Sequence, residues 1–111
     1  MADIRVFNRL LPEAWKAMPF EPFREGVEIC HLWQGGPDVA LLRYAKGASV
    51  PRHLHMGLET IQVLEGSQSD ENGRYFAGSV VFNPAGSVHS VWSEEGCTVL
   101  IQWEKPVAFV E

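Results

Sequence analysis

Ten glycines and seven prolines break this 111-residue chain at such short intervals that little of it can sustain a helix. Between the breaks lie runs rich in β-branched and aromatic residues: VEICHLW (27–33), VALLRYA (39–45), ETIQVLE (59–65), SVVFNP (79–84), SVHSVWS (87–93) and TVLIQWE (98–104). Each has strand length. Turn-forming clusters separate them, among them Gly35-Gly36-Pro37-Asp38, Pro84-Ala85-Gly86 and Glu94-Glu95-Gly96. Asn72-Gly73 predicts a hairpin turn, because both residue types accept positive φ. One helix of about two turns is expected from Pro12 to Met18, opened by Pro12 and stopped by Pro19 and Pro22. Phe20 to Glu25 is expected to be extended, with its aromatics on the core. The pattern is that of an all-β protein with about eight short strands, a sandwich or small barrel. Parallel α/β folds are excluded because no crossover helices are present.

The length fits one domain. Residues 1–25 are read as an N-terminal arm packing on the barrel or on a partner subunit, and residues 26–111 as the single barrel domain. The formal charge of −5 argues against nucleic-acid binding through an overall positive field. No run approaches the length of a membrane span or of a signal-peptide core, so no membrane partner and a cytoplasmic location are expected. Cys30 and Cys97 are too few and too far apart for a disulfide framework or a thiolate zinc site, and are read as buried, reduced thiols.

The chemistry concentrates on the histidines. Only four occur, and two of them alternate in Pro51-Arg52-His53-Leu54-His55. Residues i and i+2 of a strand share a face, with side-chain bases roughly 7 Å apart. Two imidazoles so placed can converge on one ion. Glu59 follows after Gly57, where a bend can return the chain to the same face and supply an anionic oxygen. An isolated H-x-H pair is by itself more often a solvated strand edge. The longer frame is what distinguishes this one.

That frame is GASVPRHLHMGLETIQVLEG. Gly47, five residues, His53, one, His55, three, Glu59, six and Gly66 form one motif. Gly78, five residues, Pro84, one, Gly86, two and His89 form a second, in which Ser93 stands at a position usually filled by Asn. At this chain's composition the first arises by chance about once in a million starting positions. On these residues the chain resembles the cupin superfamily, and within it the ChrR-type cupins. The closer likeness is carried by ALLRYAKGASVPRHLHMGLETIQVLEGS, the acidic turn DENGRYFAG, and NPAGSVHSVWSEEGC, and it covers about residues 26–104.

The resemblance implies a small antiparallel double-stranded β-helix, or jelly-roll barrel, with a short N-terminal arm. It implies that His53, His55, Glu59 and His89 bind one divalent metal. Three neutral imidazoles and a carboxylate suit Zn, Fe, Mn, Ni or Cu and do not suit calcium. Four ligands in a tetrahedron would close the site, whereas a higher coordination number would leave positions open. Gly66, Gly78, Gly86 and Pro84 are assigned structural roles at strand ends.

Strand alternation adds Ile61 and Val63 from the Glu59 face, and Val91 and Ser93 from the His89 face, as pocket walls. Gln102 joins them as a residue able to hydrogen-bond a ligand, although an outward orientation is equally compatible with its strand. Arg43 and Tyr44 are adjacent, so only one can face inward. Trp33 and Trp103 are read as core or dimer packing, and His31 as a strand histidine without a spaced partner.

Two functions follow. One is a metal-dependent enzyme, of dioxygenase type, acting on a small molecule. The other is a non-catalytic zinc-binding module that senses a ligand or regulates a partner, as the ChrR likeness implies. No H-x-x-x-C-x-x-C run occurs, so sigma-factor inhibition is not expected to transfer. A homodimer is expected through an open barrel edge.

Overall fold

The computed structural model describes residues 2–110; Met1 and Glu111, at the outer ends of the expected arm and barrel, lie outside them. Ten strands run β1 (Glu21–Arg24), β2 (Val27–Trp33), β3 (Asp38–Tyr44), β4 (Ser49–Leu54), β5 (Glu59–Asp70), β6 (Gly73–Phe76), β7 (Val80–Asn83), β8 (Val88–Trp92), β9 (Cys97–Trp103) and β10 (Ala108–Phe109). All pairings are antiparallel, and the order β1-β2-β3-β9-β5-β8-β4-β10 curls into a jelly-roll barrel with β6 and β7 also on β5.

β5 joins the two halves. Its first part pairs with β9 and β7, its last part with β6, and Ser69 meets Trp92 of β8. The changeover falls at Gly66, with φ of 73°. A Cβ there would collide with the Gly96 carbonyl oxygen, so this position demands glycine for space as well as for conformation.

Alternation divides the apolar residues between two clusters. Val27, Ile29, Leu42, Tyr44, Ile61, Val63, Val91, Val99 and Ile101 fill the barrel interior. Their neighbours Cys30, Leu32 and Leu41 point outward from β2 and β3. There they are covered by Trp15, with Leu10, Met18 and Phe20 packed around it. Thus Leu10, Trp15, Met18 and Phe20 lie on the outer face of this chain's own barrel, whereas Ile4, Val6 and Leu11 are exposed. The expected helix is shorter than predicted: a single 3-10 turn, Ala14–Ala17, since Pro12 and Pro19 leave room for little more. Of the aromatics in 20–25, Phe20 packs on that outer cluster, whereas Phe23 is half exposed.

The hairpin turn also differs from expectation. Asp70 pairs with Gly73, so the central residues are Glu71 and Asn72, and neither Asn72 nor Gly73 has positive φ. Instead the Asp70 carboxylate accepts from the Asn72 and Gly73 amides at 2.8 and 3.2 Å and holds the turn through its side chain. Both cysteines are buried free thiols. Among the described residues no helix is long and apolar enough to cross a membrane.

Candidate metal centre

β4, β5 and β8 bring four side chains to one point inside the barrel. His53 of β4 stands opposite His89 of β8 in the strand register. His55 lies just past the end of β4, where its amide donates to Ser87 O and its carbonyl accepts from Gly86 N. Glu59 opens β5 after the bend at 56–58. One potential ligand atom from each of His53, His55, Glu59 and His89 lies within 4.8 Å of the other three. All four residues are at most 5% exposed. The three imidazole centroids are 4.6–5.0 Å apart.

Each ring is oriented by its Nδ1. That of His53 donates to Pro51 O at 2.8 Å. That of His55 is 3.0 Å from Ser87 O and 2.9 Å from Ser87 Oγ. That of His89 donates to Asp70 Oδ2 at 3.1 Å. A proton on Nδ1 leaves the lone pair on Nε2, turned toward the cluster. The Nε2 atoms of His55 and His89 are buried without a hydrogen-bond partner. Such orphans are rare in folded proteins. His55 Nε2 is 3.3 Å from Glu59 Oε1, but the pair is not aligned as a hydrogen bond. A cation shared by the two, either a metal ion or a proton on the imidazole, would satisfy both lone pairs. The residues therefore fit a single metal ion, with imidazole nitrogens and a carboxylate as donors.

The electrostatics differ between the histidines. Burial depresses the pKa of His53, and the nearby His89 and His55 add to the effect, which favours the neutral, ligating form. Burial opposes charge on His55 too, but the Glu59 carboxylate outweighs it and raises the pKa. Burial likewise opposes ionisation of Asp70, yet hydrogen bonds from Tyr75, His89 and Asn72 outweigh it and hold the carboxyl below its ordinary range. Asn83 Nδ2 donates to Glu59 Oε1 at 3.1 Å and fixes that carboxylate.

A cavity of about 410 Å³ is lined in part by His53 and Glu59. Ile61, Val91, Ile101, Trp103 and Tyr44 line it, and Phe23 and Phe109, both about half exposed, stand on its wall as well. Of the expected wall residues, Ile61 and Val91 line this cavity. Val63 belongs to the packed interior instead. Ser93 is fully buried, with its hydroxyl donating to Ser67 O at 2.6 Å. Gln102 is exposed on the outside, because its strand neighbours Ile101 and Trp103 take the inward positions. Tyr44 faces inward while Arg43 pairs outside with Glu28 at 2.9 Å. Trp103 reaches the cavity, whereas Trp33 is exposed. His31 lies on the cavity wall, 3.8 Å from Glu21.

Sequence reasoning missed Asp70, Asn83 and Gln68, and left Tyr44 open as the alternative to Arg43 for the inward position. The acidic turn containing Asp70 was visible as a pattern, but nothing local connects it to His89. That link exists only because β5 and β8 meet.

A family model described as the ChrR cupin-like domain matches residues 13–106. The chain is 34% identical over 87 residues to the anti-sigma-E factor ChrR of Cereibacter sphaeroides, over 76% of this chain and 41% of that protein. It thus spans about two-fifths of that relative's length. The crystal structure of Rhodobacter sphaeroides SigE in complex with the anti-sigma ChrR matches with a TM-score of 0.75 and 28% identity, over 84% of this chain and 53% of that one. The acetylacetone dioxygenase from Acinetobacter johnsonii matches with a TM-score of 0.78 and 16% identity, over 100% of this chain and 78% of that one. At that identity the likeness is one of fold.

Proposed function

The chain belongs to the ChrR cupin-like domain family, and on that premise we propose that it is a mononuclear metal-dependent enzyme of oxygenase type, acting on a small, largely apolar molecule. His53, His55, Glu59 and His89 would hold one divalent Zn, Fe, Mn, Ni or Cu ion. The observation that carries this reading is the lining of the cavity: it includes His53 and Glu59 of the cluster, so a molecule held there would lie beside the candidate metal site.

A bound ion would supply Lewis acidity and, where redox-active, one-electron chemistry. The chain's own residues do the rest. His55 and His89, anchored through Ser87 and Asp70, would complete the donor set beside His53 and Glu59. Ile61, Val91 and Ile101 exclude water from its walls. Tyr44, with its phenol pushed well above its ordinary pKa by burial, stays protonated and can donate to a polar atom of the substrate. Gln68 adds an amide on the same cavity.

The likeness to ChrR supports a second reading, a metal-bearing module that senses a ligand without turning it over. The two separate on purification without added metal, followed by elemental analysis and oxygen-uptake measurements over a panel of small apolar carbonyl and aromatic compounds. About one iron per chain with substrate-dependent uptake is expected of the enzyme. Tightly held zinc, and no uptake after iron loading, would leave the sensing module. A chain that holds no metal under any loading condition would sink both.

A further inference from the structure

From Arg24, on the first strand, we infer that the cavity selects small carboxylates: an apolar body in the barrel, with the acid group held at the mouth. This rests on the reading of the cavity as the ligand site and specifies what enters it.

The chain has six arginines, and four of them are satisfied by the protein. Arg5 donates to Leu32 O, Arg9 pairs with Glu13, Arg43 with Glu28, and Arg74 with Glu94 and Glu95. Arg52 is exposed to water. Arg24 differs from all of these. It is half-buried, it lines the cavity, and among the described residues it has no side-chain hydrogen bond and no carboxylate at ion-pair distance. A guanidinium with its donors unused, partly withdrawn from water, is a binding group for an anion.

Its position is set by Phe109. The guanidinium carbon lies 4.8 Å from the centre of that ring, and the same ring is 6.0 Å from the ring of His53. Arg24 is therefore separated from the first metal ligand by a single aromatic side chain. Stacking on Phe109 also orients the planar fork. β10 holds Phe109 in place by pairing it with His53. β1 and β10 lie outside both histidine motifs, so these two short strands add a recognition element to the metal site.

Other charges on the cavity do not cancel this one. Asp38 turns Oδ1 to the Gly35 amide at 2.9 Å. His31 lies 3.8 Å from Glu21. Glu59 belongs to the metal cluster. With apolar walls between a cationic mouth and a divalent metal, the complementary ligand is a compact acid with an aromatic or branched aliphatic body.

The test uses the zinc-loaded full chain and two matched probes, phenylacetate and phenylacetamide, titrated by calorimetry. The wild type is expected to bind the acid about tenfold or more tightly than the amide. Arg24→Gln is expected to erase that preference by weakening the acid alone, with zinc content unchanged. Equal binding of both probes by the wild type, binding of neither, or a preference that survives Arg24→Gln would overturn the proposal. The last outcome would place the carboxylate on the metal instead. Failure of the enzyme reading looks different: the acid preference and its loss in Arg24→Gln would stand while oxygen uptake stayed absent.

Discussion

Asp70 Oδ2 accepts the Nδ1 proton of His89 at 3.1 Å, across the 19 residues that separate the hairpin turn from β8. The same carboxylate takes the Tyr75 hydroxyl at 2.8 Å on its other oxygen. It therefore fixes both the tautomer and the tilt of one member of the histidine cluster.

Asp70→Asn is expected to weaken metal binding by about 10- to 100-fold, the usual cost of losing such a partner. The amide oxygen can still serve the Asn72 and Gly73 amides, so the turn should persist. Chelator competition measures the affinity, and far-ultraviolet circular dichroism checks the fold. Unchanged affinity in a folded variant would show that Asp70 serves the turn alone.

Replacing the cluster residues themselves should have a larger effect. His53→Ala combined with His89→Ala removes two of the three imidazoles, and bound metal should fall to a small fraction of one per chain. In the wild type, excess EDTA should lower Tm, because a metal that binds only the native state stabilises it by mass action. In the double variant EDTA should leave Tm unmoved. Retention of stoichiometric metal by that variant would refute the assigned ligand set.

Gly66→Ala should destabilise the fold by about 3 kcal/mol or more, through the combined clash with the Gly96 carbonyl and the strained φ. Gly78→Ala is the control. It has a similar positive φ of 93° but open space around it, so only the conformational cost applies, about 1 kcal/mol. Chemical denaturation of the two variants measures the difference. Equal losses would mean that the Gly66–Gly96 contact relaxes freely.

The buried Cys97 thiol makes a prediction about alkaline pH. Burial pushes its pKa up to about 11, from an ordinary value near 9. The unfolded chain loses this proton first, so between those values the native state binds more protons and stability falls as pH rises. Two pKa units correspond to about 3 kcal/mol at full effect. Below pH 8 the thiol contributes no slope. Cys97→Ala should flatten the decline between pH 9 and 11, whatever its effect on stability at neutral pH. Rapid labelling of the native thiol by Ellman's reagent at pH 8 would contradict this degree of burial.

His53, His55 and Glu59 were legible in the sequence because their arrangement is local. His53 and His55 are two residues apart and Glu59 follows one bend, whereas His89, on β8, is three strands further along the chain and was legible only through the second motif. The residues that support them were not legible in the same way. Asn83 reaches Glu59 from β7, and Asp70 reaches His89 from a turn, in each case across a sheet. Gln102 shows the limit of alternation. Its strand has apolar residues on both sides, so parity could not say which face was inside until β9 was placed between β3 and β5.

β1 and β10 show the same limit at the cavity. A four-residue and a two-residue strand carry too little periodicity to announce themselves. Yet they deliver Arg24 and Phe109 to the lining of the cavity.

The sequence by itself determined the all-β class and the residue types and spacing of the histidine–glutamate cluster. Glycine and proline punctuation, residue chemistry and strand period all act over a few residues. Only the tertiary structure decided which carboxylate steadies His89, which wall residues face the cavity, and that a guanidinium without a partner among the described residues lies one ring from the histidine cluster. Those facts depend on which strands pair and where the sheet bends, and contacts between segments far apart in the chain leave no local trace.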